Sequence, residues 1–180
     1  MPVFARVLFP LVLLTAVMPA HALLKPGAPA PGFTLPAAQA GQALTFDLAA
    51  ARAAGPVVLY FYPAAYTPGC SVEAKLFADA MDDFRAAGAS VVGVSGDDIG
   101  KLKKFSVSHC QGRFPVAADA GLKVAKAYDA TGAFSALGFS SRVSYVISPD
   151  GHILFAHTDS GPNSHVSETL AAVRKYRQEH

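Results

Sequence analysis

The stretch Val57–Glu73, VVLYFYPAAYTPGCSVE, gives the strongest indication of the fold of this chain. It opens with an unbroken apolar run rich in β-branched and aromatic residues, which is typical of a strand buried on both faces. A loop of proline and alanine follows and leads into Thr67-Pro68-Gly69-Cys70. Threonine is a favoured N-cap and proline is favoured at the first helical position, so the sequence predicts a helix that begins here.

This helix start gives Cys70 an unusual environment. With Thr67 as the N-cap, Cys70 is the third residue of the helix and lies in its first turn. Backbone N–H groups in that turn have no intrahelical partner, and the helix dipole is positive at that end. Such an environment stabilises a thiolate. The sequence therefore places a candidate nucleophile at a strand-to-helix corner.

The whole chain has the size and composition of one domain with a real core. It has 180 residues, of which 52% are hydrophobic and 16% charged. This length is sufficient to bury a single hydrophobic core. The net charge of +2 is too small to indicate a nucleic-acid partner or a membrane surface.

Residues 1–22 are predicted to be a cleaved secretory signal peptide. Arg6 is followed by the apolar run Val7–Val17 and then by Ala20-His21-Ala22, a small-x-small cleavage site. The alternative is a membrane anchor, but the apolar run is shorter than the roughly 20 residues that a helical span needs. We expect a mature chain of residues 23–180 that forms one domain, resides in the periplasm and has no membrane association after cleavage.

The chain after the corner alternates between helical and extended patterns. Apolar residues at helical spacing predict a single helix from Pro68 to Gly88, with an inward face formed by Val72, Leu76, Phe77, Ala80, Met81 and Phe84. The run Ala89–Ser95 reads as a second buried strand. Strand, helix and strand then form a βαβ unit, whose strands are parallel and whose crossover is right-handed.

Other elements are assigned from shorter patterns. Phe33–Pro36 reads as a short edge strand ended by proline, and Leu44–Leu48 as a second short strand. A helix begins at Asp97 and ends near Cys110, with an inward face formed by Leu102, Phe105 and Val107. These elements extend the sheet and cover it with a further helix.

The C-terminal part of the chain completes the expected architecture. A hairpin is predicted over Arg142–Ile147 and His152–His157, and a last helix over Val166–Tyr176 with Ser164 or Ser167 as its N-cap. A βαβ unit followed by a hairpin and a helix fits the α/β class. We expect a thioredoxin-like sandwich, in which a central mixed β-sheet is flanked by helices.

The segment Pro63–Cys70 carries a resemblance to a known family. It matches the P-x-x-x-T-x-x-C motif of the peroxiredoxins, and Thr-Pro-Gly-Cys followed by Glu73 is similar to the peroxiredoxin Q, or bacterioferritin-comigratory, group. Gly27–Pro36 is similar to the opening of that family. Arg142, followed by Ser148–Gly151, resembles its active-site arginine. The resemblance covers nearly all of the chain after the predicted signal peptide.

The resemblance implies a thiol-dependent peroxidase acting on hydrogen peroxide and alkyl hydroperoxides. Cys70 would be the peroxidatic thiolate, which attacks the O–O bond and becomes a sulfenic acid. The Thr67 hydroxyl, the Cys70 backbone N–H and Arg142 would donate to the peroxide oxygens. Pro63 would shield the thiolate from water. Glu73 would hold the arginine, although it could equally serve only to complement the helix dipole.

Cys110 is the candidate resolving cysteine. Many members of the group carry a second cysteine five residues after the first, where this chain has Lys75. Cys110 stands near the end of the following helix, where another subgroup places its resolving thiol. A Cys70–Cys110 disulfide needs Cα atoms within about 7 Å, so we expect local unfolding during the reaction. The alternative is a one-cysteine peroxidase in which Cys110 is passive.

No cofactor or metal is expected, because the histidines show no zinc-ligand spacing with either cysteine and no glycine-rich phosphate loop is present. The resemblance implies a dithiol reductant of thioredoxin or glutaredoxin type, and a monomer. Rival functions remain. A thioredoxin-like protein disulfide oxidoreductase normally uses C-x-x-C, and a copper-handling relative C-x-x-x-C. A non-catalytic binding domain would have a structural Cys70–Cys110 bridge.

Overall fold

The computed structural model describes residues 23–180. The predicted signal peptide, residues 1–22, lies outside the described residues. Within the described part of the chain, none of the helices combines the length and the apolar character that a membrane crossing requires.

A single mixed sheet of seven strands runs through residues 23–180, in the order β2-β1-β5-β4-β3-β6-β7. Its strands are β1 (Thr34–Gln39), β2 (Gln42–Asp47), β3 (Val57–Phe61), β4 (Ser90–Ser95), β5 (Val116–Ala118), β6 (Val143–Ile147) and β7 (Ile153–Thr158). The helices are α1 (Leu48–Ala53), α2 (Pro68–Asp79), α3 (Met81–Ala86), α4 (Ile99–Ser108), α5 (Lys123–Ala127) and α6 (Asn163–Glu179). A 3-10 turn covers Ser135–Leu137.

Strand β3 is an interior strand of the sheet and lies between β4 and β6. Every residue of Val57–Phe61 is buried, as the apolar run predicts. The strand pairs in parallel with β4 and antiparallel with β6. In the antiparallel register Phe61 faces Val143, so the end of β3 lies beside the start of β6. Residues just after β3 and just before β6 are thereby brought to the same edge of the sheet.

Helices cover both faces of the sheet, as the predicted sandwich requires. One face packs against α2, α3, α4 and α6, and its core contains the aromatic residues Tyr60, Phe77, Phe105 and Phe114 together with both cysteines. The other face packs against α1, α5 and the N-terminal arm, and its core contains Leu59, Phe61, Tyr128 and Tyr145. Because side chains alternate along β3, it contributes to both cores.

The single helix predicted from Pro68 to Gly88 is in fact two helices. α2 ends at Asp79 and α3 begins at Met81, with Ala80 at φ −87° and ψ 0° between them. The inward face of α2 also differs from the predicted one. Val72 is 48% exposed, whereas Glu73 is completely buried. The apolar pattern does not predict this rotation, because the inward position is taken by a carboxylate that is paired with Arg142.

Three smaller predictions are also wrong. β1 is not an edge strand and continues past Pro36, because β2 pairs along its whole length while β5 reaches only Ala37 and Ala38. Val107 is 54% exposed and does not face inward.

The last helix begins at Asn163, directly after Pro162. Ser164 is therefore not its N-cap, and its hydroxyl donates to Asp159. The other candidate cap, Ser167, lies within the helix.

The contact of Tyr60 with Gly93 yields a stability prediction. Tyr60 pairs with Gly93 across β3 and β4, and a Cβ at Gly93 would lie 2.6 Å from Cζ of the tyrosine ring. That ring stacks on Phe77 with centroids 4.4 Å apart, so it has little room to move. We expect Gly93→Ala to lower the free energy of unfolding by about 2 kcal/mol through overpacking, as measured by urea denaturation.

Gly32→Ala is the matched control, because nothing lies within 4 Å of a Cβ at that position. We expect a change within about 0.5 kcal/mol. Equal stability of the two variants would contradict tight packing of Tyr60 over Gly93.

Candidate active site

The start of α2 has the predicted geometry. Thr67 is the N-cap, with extended backbone angles of φ −72° and ψ 149°, and Pro68 is the first helical residue. Cys70 is therefore the third residue of the helix. The Thr67 hydroxyl donates to the carbonyl oxygen of Ala64 at 3.0 Å instead of capping the helix. This bond closes the loop immediately before the helix and fixes the direction in which the hydroxyl hydrogen points.

Arg142 brings a positive charge to the sulfur of Cys70. Its Nη2 lies 3.4 Å from Sγ, although the two residues are 72 positions apart in the chain. The β3–β6 register accounts for this contact, because it places the residue before β6 beside the loop that follows β3. The Cys70 side chain is 1% exposed, so the guanidinium acts on the sulfur with little screening by solvent.

Glu73 binds the other side of the same guanidinium. Its Oε2 accepts a hydrogen bond from Nη1 of Arg142, and the carboxyl is completely buried. Burial raises the pKa of Glu73 to about 8, whereas the neighbouring positive charge of Arg142 acts in the opposite direction. A residue that only complements a helix dipole would be solvated. The observed pairing instead places Glu73 where it can hold the arginine.

Pro63 and Arg142 share the wall of a cleft. The cleft has a volume of about 390 Å³, and its wall also contains Phe134, Phe139 and Thr158. Phe134 is 67% exposed and lies in the loop before β6. The arginine beside Cys70 is thus reached from an opening with partly apolar walls.

Cys110 lies apart from this opening. It follows α4 in a turn and is completely buried in the same apolar cluster as Cys70. Burial raises the pKa of its thiol far above the usual range. Both cysteines are free thiols in the structure. In this conformation Cys110 is protonated and inaccessible, which makes it a poor nucleophile.

Two residues that position the site were missed by sequence reasoning. A Cβ at Gly69 would lie 3.1 Å from Nη2 of Arg142, so this glycine leaves room for the guanidinium. Asp97 accepts hydrogen bonds from the backbone N–H of Ala65 at 2.7 Å and from the Ser95 hydroxyl at 2.8 Å. It therefore anchors the loop before α2. The position of Gly69 directly before the candidate nucleophile is the sequence signal that could have indicated its role.

A sequence profile described as the AhpC/TSA family matches residues 26–156. The chain belongs to the AhpC/TSA family. It is 37% identical over 146 residues to a protein named putative peroxiredoxin Q, chloroplastic, from Oryza sativa subsp. indica. That alignment covers 80% of this chain and 64% of the rice protein. It is also 37% identical over 150 residues to a putative peroxiredoxin of Mycobacterium tuberculosis, covering 81% of this chain and 92% of the relative. The chain thus spans about two thirds of the rice protein.

Solved structures of AhpC/TSA relatives share the fold. The crystal structure of the peroxidoxin BcpB from Mycobacterium tuberculosis superposes with a TM-score of 0.73 at 34% identity, covering 84% of this chain and 97% of that one. The bacterioferritin comigratory protein of Xanthomonas campestris gives a TM-score of 0.69 at 28% identity, covering 79% and 92%. The predicted resemblance to the peroxiredoxin Q group and the predicted thioredoxin-like fold are confirmed.

The buried pair of Glu73 and Arg142 yields a second stability prediction. Arg142→Met removes the cation and leaves the carboxyl of Glu73 completely buried without its partner. We expect the free energy of unfolding to fall by about 3 kcal/mol, as measured by urea denaturation at neutral pH.

The matched control is Lys75→Met, which breaks the exposed ion pair with Asp79 on the same helix. We expect this variant to be as stable as the wild type, because exposed ion pairs contribute little. A loss in Arg142→Met no larger than that in the control would show that the buried pair does not support the fold.

Proposed function

We propose that this protein is a thiol-dependent peroxidase that reduces hydrogen peroxide and alkyl hydroperoxides through Cys70. The observation that carries the proposal is the guanidinium of Arg142, whose Nη2 lies 3.4 Å from a sulfur in the first turn of a helix. The bacterioferritin comigratory protein of Xanthomonas campestris is described as having alkyl peroxide reduction activity. Family membership and local geometry therefore support the same chemistry.

In the proposed reaction, the Cys70 thiolate attacks one oxygen of the peroxide and the O–O bond breaks. The sulfur gives up two electrons and becomes a sulfenic acid, while the other oxygen takes a proton and leaves as water or an alcohol. Negative charge develops on the departing oxygen in the transition state. Arg142 and the Cys70 backbone N–H are the groups that we assign to stabilise it, since preorganised donors are most effective in a poorly solvated site.

The role assigned to Thr67 differs from the expected one, in which its hydroxyl donates to the peroxide oxygens. Because its hydroxyl hydrogen is directed to Ala64, its oxygen is free to accept rather than donate. We therefore assign it to accept the hydrogen of the bound hydroperoxide and so orient the O–O bond toward the sulfur. Pro63 lines the cleft that also contains Arg142 and has no N–H, so we assign it to shield the thiolate without competing for hydrogen bonds. Glu73 is assigned to hold Arg142.

Cys110 is proposed as the resolving thiol. Its sulfur would attack the sulfenic sulfur of Cys70, forming the disulfide and releasing water. The burial of both thiols means that the turn carrying Cys110 and the first turn of α2 must open before this step. A dithiol reductant of thioredoxin or glutaredoxin type would then restore both cysteines. No metal or organic cofactor takes part in this cycle.

Export to the periplasm is also part of the proposal. The pattern of residues 1–22 supports it. Leu23 and Leu24 pack against one core, and the backbone N–H of Leu24 donates to the Tyr145 hydroxyl. We expect protein purified from periplasm to begin at Leu23 by intact mass, and to be a monomer by light scattering. An intact mass that retains residues 1–22 would overturn the export proposal.

Stopped-flow kinetics test the two cysteine assignments. We expect Cys70→Ser to lose the fast reaction with hydrogen peroxide, because no other nucleophile faces Arg142 in the proposed site. We expect Cys110→Ser to keep a fast first turnover and to recycle poorly with a thioredoxin-type reductant.

Mass spectrometry after one equivalent of peroxide provides the complementary measurement. The wild type should contain a Cys70–Cys110 disulfide. A fast reaction retained in Cys70→Ser would refute the peroxidase assignment. A wild-type protein that stays at the sulfenic or sulfinic stage would make it a one-cysteine peroxidase instead.

A further inference from the structure

A buried polar cluster that the proposed reaction does not use lies behind the pair of Glu73 and Arg142. The side chain of His165, on α6, is completely buried, and its Nδ1 lies 4.0 Å from Oε1 of Glu73. Ser144, on β6, is also completely buried and places its Oγ 2.8 Å from the same nitrogen. Polar side chains from α6 and β6 therefore meet close to the carboxyl of Glu73 on α2.

The contacts of His165 determine which ring nitrogen carries hydrogen. Nε2 lies 3.1 Å from the backbone carbonyl oxygen of Asp159, which can only accept, so Nε2 carries the hydrogen. Burial lowers the pKa of His165 to about 4, which keeps the ring neutral near neutral pH. Nδ1 is therefore an acceptor, and the Ser144 hydroxyl donates to it.

The carboxyl of Glu73 is hydrogen-bonded through one oxygen. Oε2 accepts from Arg142, whereas Oε1 has no hydrogen-bond partner within residues 23–180. A buried oxygen in this state is costly and leaves the carboxyl free to rotate unless its surroundings hold it. The ring of His165 occupies the space next to Oε1, and Ser144 fixes the orientation of that ring.

We propose that His165 and Ser144 are positioning residues for the peroxidase reaction. They fix the carboxyl of Glu73, and Glu73 in turn fixes the guanidinium of Arg142 against the sulfur of Cys70. The inference rests on the proposed function, because the placement of Arg142 matters to catalysis only if Cys70 reacts as a thiolate. Neither positioning residue touches the substrate, and the effect of both is transmitted through Glu73.

Charged and titratable groups face this cluster from each of the elements packed against it. They are Cys70 and Glu73 on α2, Tyr60 on β3, Arg142 before β6, His157 on β7 and Asp159 in the loop before α6. Arg142 and His157 both oppose a positive charge on His165. The neutral ring is therefore the working form, and it holds the carboxyl of Glu73 by packing next to Oε1 instead of acting as a second ion-pair partner.

Variants of His165 test the proposal by kinetics and by thiolate titration. His165→Phe keeps a ring and removes both nitrogens, whereas His165→Asn keeps a polar atom near the place of Nδ1. We expect His165→Phe to slow the first reaction with hydrogen peroxide about tenfold, because Arg142 is no longer fixed. The pH midpoint of thiolate formation at Cys70, followed by ultraviolet absorbance, should rise in the same variant. His165→Asn should recover most of the rate, and Ser144→Ala should show a smaller loss in the same direction.

Thr169→Val is the matched control for a purely structural effect. Thr169 is completely buried on the same helix, and its hydroxyl donates to the carbonyl oxygen of His165 at 2.6 Å. We expect this variant to be less stable while its rate and its thiolate midpoint stay at the wild-type values. A shift of the midpoint in the control as large as in His165→Phe would overturn the positioning role.

A double variant tests whether the effect passes through Glu73. In a Glu73→Gln background, His165→Phe should slow the reaction by less than about twofold, since coupled residues give non-additive effects. Fully additive losses would overturn the proposal, and so would a wild-type rate in His165→Phe alone. If the wild type shows Cys70-dependent peroxide reduction, such a result overturns only the positioning role. Absence of that reduction overturns the proposed function itself.

Discussion

The site depends on one guanidinium shared between two acidic groups. Arg142 contacts the sulfur of Cys70 through one nitrogen and the carboxyl of Glu73 through the other. A planar guanidinium suits this arrangement, because its donors point in fixed and separate directions. A lysine could not hold both partners in the same geometry. The fold around the site can be understood as the means of bringing this side chain to the first turn of α2.

Arg142 reaches this position because β3 pairs with one parallel and one antiparallel neighbour. The parallel partner β4 completes the βαβ unit that carries α2, and the antiparallel partner β6 returns the chain to the edge where α2 begins. Sheet register is strongly specified where both faces are buried, since a shift of one residue would exchange the two cores. The precision of the Arg142–Cys70 contact is therefore inherited from the packing of the sheet.

Local signals predicted the parts of the fold that depend on local physics. The buried strand Val57–Phe61 and the helix that starts after Thr67 were both read correctly, because chain chemistry alone favours them. Predictions failed where distant contacts decide the outcome. Apolar periodicity places Val72 on the inward face of α2, because such a pattern does not indicate a buried carboxylate. The sequence does not indicate the role of His165 either, because its partners Glu73 and Ser144 lie far from it in the chain.

The burial of Cys110 has a consequence for timing. In the proposed cycle, a thiol enclosed in the core would reach Cys70 only as often as the surrounding turn opens, so opening would set an upper limit on the speed of disulfide formation. A second peroxide molecule would compete for the proposed sulfenic acid during that interval, and the probability of over-oxidation would grow with peroxide concentration. An enzyme built in this way would work through many cycles at low oxidant and inactivate itself at high oxidant. The packing around Cys110 would then set the peroxide concentration above which the enzyme is inactivated.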